Sequence, residues 1–192
     1  SENLELFNKN NIYVAISDFE FIRNISNKYS LYKFLKEEGF SILPVLNIKN
    51  KNLSFPIIGK PHFSWGGKGI IILDTRRDLD NHEISELKRE YVWQPYLKDY
   101  DEYSVDCALN FDGSLSEIII RHRLKTISGF AVICENVNDS KLQRMIERLL
   151  KIIRMRGARG IYNIQVLKNG LKYYLSDFNP RIGTSAVFSY NL

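Results

Sequence analysis

Near the end of the 192-residue chain, Gln165, Asp177 and Asn179 offer side-chain oxygens of the hard type that magnesium prefers, and Arg181 follows directly. Magnesium usually keeps waters and substrate phosphates in its shell, so three protein oxygens suffice to hold it. Asp177 and Asn179 stand two apart in a run that reads as a strand, so they share a face. Whether Gln165 joins them depends on the turn between Ile161–Leu167 and Leu171–Asn179. A two-residue Asn169-Gly170 turn pairs Lys168 with Leu171 and puts Gln165 and Asp177 on opposite faces. A three-residue Lys168-Asn169-Gly170 loop with Gly170 left-handed pairs Leu167 with Leu171 and puts both on one face. The second register also gathers Tyr162, Ile164, Val166, Tyr174 and Phe178 on the other, apolar face, and it is the register expected here. A merely solvated polar face is the plain alternative. Asn179-Pro180-Arg181 weighs against it, because proline fixes the strand exit and the arginine presents a planar fork for phosphate or carboxylate oxygens.

A second stretch, His62-Phe63-Ser64-Trp65-Gly66-Gly67-Lys68-Gly69, links two apolar runs. Glycines let backbone N–H groups approach phosphate oxygens, and Lys68 would add charge. The stretch is not a Walker A loop, since Gly69 rather than Ser or Thr follows Lys68, and no G-x-G-x-x-G spacing occurs. A tight hairpin with two flexible glycines also explains it. Lys60 ends the preceding run, where its ammonium either faces what the loop encloses or snorkels from an edge. Arg121, His122 and Arg123 form a basic cluster at a strand end before the 125–130 loop, turned either to a carboxylate substrate or to water.

The elements that must position these groups read as follows. Ile12–Ile16 suggests a short strand, and residues 28–38 a helix with Leu31, Phe34 and Leu35 on one face and Gly39 as its stop. Phe55–Lys60, Gly69–Asp74, Tyr91–Leu97, Glu102–Asn110 and Ser116–Leu124 read as strands, with a turn at Asp112-Gly113. Ser140 with Gln143 forms the pattern of a capping box and opens a helix striped by Leu142, Met145, Ile146, Leu149, Leu150 and Ile153, which Gly157 ends. Strands interrupted by two amphipathic helices indicate an α+β fold with mostly antiparallel sheets, not a regular βαβ alternation.

Net charge is +5, but Lys and Arg are spread along the chain, and the cluster from Arg144 to Arg159 reads as a solvated helix face. No aromatic-basic motif for nucleic acid is present, so neither nucleic acid nor membrane is expected as a partner. No apolar run approaches the roughly 20 residues that cross a bilayer. Cys107 and Cys134 lack a C-x-x-C spacing and read as reduced, buried thiols, which suggests a cytoplasmic setting.

In order along the chain, NKYSLYKFLKEEGFSILP, FPIIGKPHFSWGGKGI, VWQPYL, DEYSVDCALNFDG and YNIQV…LSDFNPRIGTS resemble the ATP-grasp superfamily, particularly its carbamoyl-phosphate synthase large-subunit and carboxylate–amine ligase branch. That resemblance implies two α+β lobes enclosing a nucleotide cleft: a small lobe over residues 26–95, a larger one over 96–192, and residues 1–25 as the remnant of a preceding domain. It also implies an ATP- and Mg2+- (or Mn2+-) dependent ligase that activates a carboxylate as an acyl phosphate for attack by an amine or ammonia. Lys28 and Lys60 would contact ATP phosphates, Lys60 lying also near the adenine, and Gly66, Gly67, Lys68 and Gly69 would close over them as a lid. Gln94, Pro95, Tyr96 and Leu97 would read the adenine and Glu102 the ribose. Gln165, Asp177 and Asn179 would be the metal ligands. Arg181 with Lys60 would steady the reacting phosphate, and Arg121 and Arg123 would face the carboxylate substrate.

The chain departs from the family pattern in several places. Asp177 stands where Glu is usual, Asn27 where Asp often precedes the lysine, and flanking domain segments are missing, to be supplied by a partner domain or a second copy. A non-catalytic or weakly active nucleotide-binding module of the same fold is therefore the alternative expectation.

Overall fold

Hydrogen-bonded pairing sorts the strands of this computed structural model, which describes residues 3–64, 66–81 and 89–186, into two sheets. The elements run α1 (Leu4–Lys9), α2 (Phe19–Ser26), α3 (Lys28–Glu37), β1 (Ile57–Pro61), β2 (Ile71–Leu73), α4 (Arg76–Leu79), β3 (Tyr91–Pro95), β4 (Asp101–Leu109), β5 (Ile119–Ile127), β6 (Phe130–Asn136), α5 (Ser140–Met155), β7 (Gly160–Asn169) and β8 (Lys172–Asn179). A three-stranded sheet has the order β2-β1-β3 and a five-stranded sheet the order β6-β5-β4-β7-β8; every pairing is antiparallel.

The larger sheet buries Val105, Cys107, Tyr162, Ile164, Val166, Leu175 and Phe178 beneath two helices. From α3 come Leu31, Tyr32 and Leu35, and from α5 come Leu142, Ile146, Leu149, Leu150 and Ile153. Each fully buried aliphatic side chain contributes roughly 1.5–3 kcal/mol, so the α5 stripe alone anchors that helix. The smaller sheet has its own core of Ile57, Leu73, Leu79 and Trp93. α3 ends as expected, with Gly39 at φ 71°, and Gly157 after α5 lies at φ 80°.

Several expectations need correction. Residues 12–15 form no strand; Ile16 alone makes an isolated bridge, to Gly160. Two helices precede α3 where none was anticipated. α2 is capped by the Asp18 carboxylate, which accepts from the Phe21 N–H at 2.7 Å. The cap of α5 is Asp139, not Ser140: its carboxylate accepts from the N–H groups of Lys141 and Leu142, and Gln143 bonds Glu147 instead of closing a box. The basic face of α5 is only partly solvated. Arg148 donates to the Glu38 carbonyl and lies over Phe40, and Arg156 pairs with Glu38 over Phe34, so both clasp the C-terminal end of α3. Cys107 is buried, Cys134 only half-buried, and both are free thiols.

The terminal hairpin combines a turn of neither expected kind with a bulge. Asn169 pairs with Lys172, leaving Gly170-Leu171 as a two-residue tip. Between that tip and the site the register shifts: Val166 pairs with Leu175, but Gln165 pairs with Asp177, so Ser176 is the extra residue of a β-bulge. The shared face of Gln165 and Asp177 is present, produced by the bulge and not by a three-residue loop. Near the tip the parity is opposite to that expected, so Tyr173 and Leu175 are buried while Tyr174 stands on the other face opposite Leu167.

Gly160 shows how closely the chain before α2 is laid on the sheet. It has φ 100°, and a Cβ there would overlap the Ala15 carbonyl. Gly160→Ala is expected to lower unfolding free energy by about 3 kcal/mol, combining backbone strain with loss of the Ile16 bridge. Urea denaturation measures it; a change under 1 kcal/mol would mean that this approach is not needed.

Candidate active site

A cleft of about 260 Å³ lies between the two sheets. Alternation along β1 sends Ile58 and Lys60 into it and Ile57 into the small core. The glycine loop supplies Ser64, Gly66, Gly67 and Ile70, and the end of β3 supplies Pro95, Tyr96 and Leu97. β4 contributes Glu102 and β5 contributes Arg123 and Thr126; the hairpin contributes Gln165, Leu167, Ser176, Asp177 and Asn179, with Arg181 just beyond. Lys28 enters from the first turn of α3, whose N-cap Asn27 accepts from the Ser30 N–H, while the Lys28 N–H donates to the His62 carbonyl.

The polar groups are packed against one another. Lys28 Nζ lies 3.0 Å from Asp177 Oδ1. Lys60 Nζ is 3.5 Å from both Tyr32 Oη and Ser176 Oγ. Burial, then the charge of Lys28, pulls the Lys60 ammonium down to about 8, against the opposing pull of Asp177 and Glu102. Burial raises the Glu102 carboxyl, and its Arg123 partner opposes that shift. Burial also holds the Tyr32 phenol well above its usual range, so it stays a donor. Lys28, Lys60, Arg123 and Arg181 face the carboxylates Glu102 and Asp177. Such an excess of cations in a partly desolvated cleft favours a polyanion.

Gln165, Asp177 and Asn179 share one face of the hairpin and line the cleft, Gln165 opposite Asp177 and Asn179 opposite Asn163. A carboxylate and two amide oxygens, with no sulfur or imidazole, form a donor set that fits magnesium sharing a ligand's phosphate oxygens. Among the described residues no group of three or more His, Cys, Asp or Glu side chains could hold a metal ion, and the hairpin set contains a single carboxylate, Asp177.

Several of the sequence-predicted residues fall elsewhere, among them Gly69, outside the cleft lining, and His122, which stacks on Tyr103. Arg121 does not face the cleft: it is fully buried, paired with Asp106, and donates to the Ser185 carbonyl at 2.7 Å. Alternation put it on the same face as Arg123, but the 181–186 segment covers it. Gln94 is buried, its amide N–H donating to the Leu43 carbonyl at 2.8 Å, so its side chain braces a cleft wall. Lys68 is exposed and outside the cleft lining. Trp65 lies outside the described residues.

Sequence reasoning passed over Tyr32, Tyr100, Thr126, Gly129 and Ser176. Tyr32 was within reach, since it follows Lys28 by four residues and a helix stacks such positions on one face. Gly129 was not. It caps the β5–β6 hairpin, where its carbonyl accepts from Arg123, and a Cβ on it would come within 2.9 Å of the Gly66 carbonyl oxygen.

Residues 25–185 match the ATP-grasp domain, and the chain belongs to that family. It is 24% identical over 155 residues to the carbamoyl phosphate synthase large chain of Saccharolobus islandicus, covering 74% of this chain and 15% of that protein. It is 27% identical over 171 residues to an uncharacterized protein of Methanocaldococcus jannaschii, covering 84% of this chain and 42% of that one. Among solved structures, biotin carboxylase from Campylobacter jejuni superposes with TM-score 0.79 at 18% identity, over 98% of this chain and 47% of that one. N5-carboxyaminoimidazole synthetase from Staphylococcus aureus, complexed with ADP, superposes with TM-score 0.75 at 18% identity, over 98% and 52%. The fold is thus the ATP-grasp fold, and the chain spans between about a seventh and about half of these relatives. No helix among the described residues is long and apolar enough to cross a membrane.

Proposed function

We propose that this chain is the ATP-binding and phosphoryl-transferring part of a ligase that activates a carboxylate as an acyl phosphate for an amine or ammonia. The observation that carries the reading is the convergence of Lys28, Lys60, Glu102, Gln165, Asp177, Asn179 and Arg181, drawn from both sheets, α3 and the segment after β8, on one cleft. The match to the ATP-grasp domain supports it. Pro95, Tyr96 and Leu97 would line the base, Glu102 would accept from the ribose hydroxyls, and Lys28 and Lys60 would hold phosphate oxygens. Gln165, Asp177 and Asn179 would hold Mg2+, which when bound supplies charge neutralisation between the phosphates. A carboxylate oxygen attacks the γ-phosphorus as the bond to the ADP oxygen breaks, and Lys60 and Arg181 stabilise the charge on the moving phosphoryl group. The amine nitrogen then attacks the acyl carbon, loses a proton, and phosphate leaves.

One observation favours a second reading, a nucleotide-binding module without turnover: the shorter Asp177 carboxylate is already held by Lys28. Two measurements separate the readings. Nucleotide binding comes first: Mg·ATP at 100 times its Kd stabilises the folded state by about 2.7 kcal/mol, or roughly 5–10 °C in Tm for a chain of this size. Absence of a shift at millimolar Mg·ATP would remove both readings. ADP release is then screened over pairs of carboxylates and amines. Turnover with a particular pair is expected of the ligase; binding without turnover on any pair favours the module.

A further inference from the structure

We propose that Tyr32 is a positioning residue for the metal-binding hairpin: its phenol donates to the carbonyl of Ser176, the extra residue of the β-bulge, and so keeps the Asp177 carboxylate opposite Gln165. The inference rests on the reading of the cleft as a magnesium–nucleotide site.

The geometry of the hairpin makes the bulge indispensable. With the tip at Gly170-Leu171 and Val166 opposite Leu175, an unbroken ladder would set Gln165 opposite Ser176 and turn Asp177 to the other face. The extra residue restores the parity, at the cost of ladder hydrogen bonds. A half-buried carbonyl such as that of Ser176 is unfavourable without a donor, so a hydrogen bond to it favours the bulge. Tyr32 supplies it: its Oη donates to the Ser176 carbonyl at 2.7 Å from a side chain that is 1% exposed.

Tyr32 and Lys28 lie one helical turn apart on the same face of α3, and they grip consecutive residues of β8. The two grips differ in kind. Lys28 holds the Asp177 carboxylate itself, so its contact competes with any cation that uses that oxygen. Tyr32 holds main chain, which fixes where the carboxylate points while leaving its oxygens free. The same phenol oxygen lies 3.5 Å from Lys60 Nζ, and Ser176 Oγ lies at the same distance, so that ammonium keeps a second partner when the phenol oxygen is removed.

Tyr32→Phe deletes one oxygen and keeps the ring in the core. Its control is Tyr162→Phe, which deletes a phenol oxygen that contacts Ser17 and the Arg159 carbonyl while the ring stays packed against Phe178 in the same core. The measurements are Mn2+ binding in the presence of ADP, followed by the paramagnetic signal of free Mn2+, ADP binding in EDTA, and amide hydrogen exchange over residues 175–178. Tyr32→Phe is expected to weaken Mn2+ binding by about 10-fold or more, to leave metal-free ADP affinity within about twofold, and to speed exchange at the bulge. Tyr162→Phe should leave both the Mn2+ affinity and the bulge exchange unchanged. Parental Mn2+ affinity and unchanged bulge exchange in Tyr32→Phe would overturn the proposal, leaving Tyr32 as packing. If the parent protein binds no Mn2+ with ADP, the magnesium–nucleotide reading fails, and the exchange comparison still decides whether Tyr32 holds the bulge.

Discussion

Arg181→Ala is expected to slow ADP release by about 10³-fold while nucleotide affinity stays within a few-fold of the parent. Arg181 lines the cleft two residues beyond Asn179, and its side chain is exposed, its one described hydrogen bond being local, to the Ile182 carbonyl. Such a side chain contributes little to folding; surface substitutions of this kind usually change stability by no more than about 0.5 kcal/mol. Its planar fork suits oxygens whose charge grows in the transition state, and a factor of 10³ corresponds to about 4 kcal/mol of barrier. The comparison to make is turnover under saturating Mg·ATP against nucleotide affinity from the thermal shift. Equal losses in both would place Arg181 in ground-state binding. Unchanged turnover would remove it from the chemistry.

Arg121→Met is expected to act on folding instead, lowering stability by about 3–5 kcal/mol. Arg121 is fully buried and its guanidinium is shared between Asp106, across the β4–β5 ladder, and the carbonyl and hydroxyl of Ser185. Asp106 also accepts from Asn163 Nδ2 at 2.6 Å. Removing the arginine leaves that carboxylate largely out of water without its counter-charge, which costs more than the pair contributes. For a domain of this size the loss corresponds to a Tm lower by roughly 10 °C. Arg121→Met with Asp106→Leu should recover part of it, because no unpaired charge then remains. If the single variant is as stable as the parent, the cluster is not a structural anchor.

The same residue shows where sequence reading stops. Arg121 and Arg123 share one strand face, and alternation alone could not tell which of them meets the cleft. What separates them is Ser185, brought over Arg121 from 64 positions away. Local signals fared better. Gly39 marked the end of α3, the apolar stripe of α5 was legible throughout, and Lys60 and the hairpin oxygens were singled out; Lys28 and Glu102 came through the family resemblance, and all of these side chains line one cleft. α2 was missed although Phe21, Ile22 and Ile25 fall on one helical face behind the Asp18 cap; its eight residues are short, but the signal was there. Asp139 and Ser140 are both good caps, and local pattern favoured the wrong one. The bulge at Ser176 had no local mark at all: it is stabilised by a phenol 144 positions earlier in the chain.

That bulge bears on how the hairpin could be re-engineered. Between the Gly170-Leu171 tip and Ser176, Tyr173 and Leu175 are buried, and beyond it Phe178 is. One residue added at the tip would turn one of these sets outward, whereas an even number preserves both. Leu171 is 85% exposed. A reporter peptide or fluorophore grafted there in steps of two residues would sit at the far end of the ladder from Gln165 and Asp177, where lengthening leaves their pairing intact.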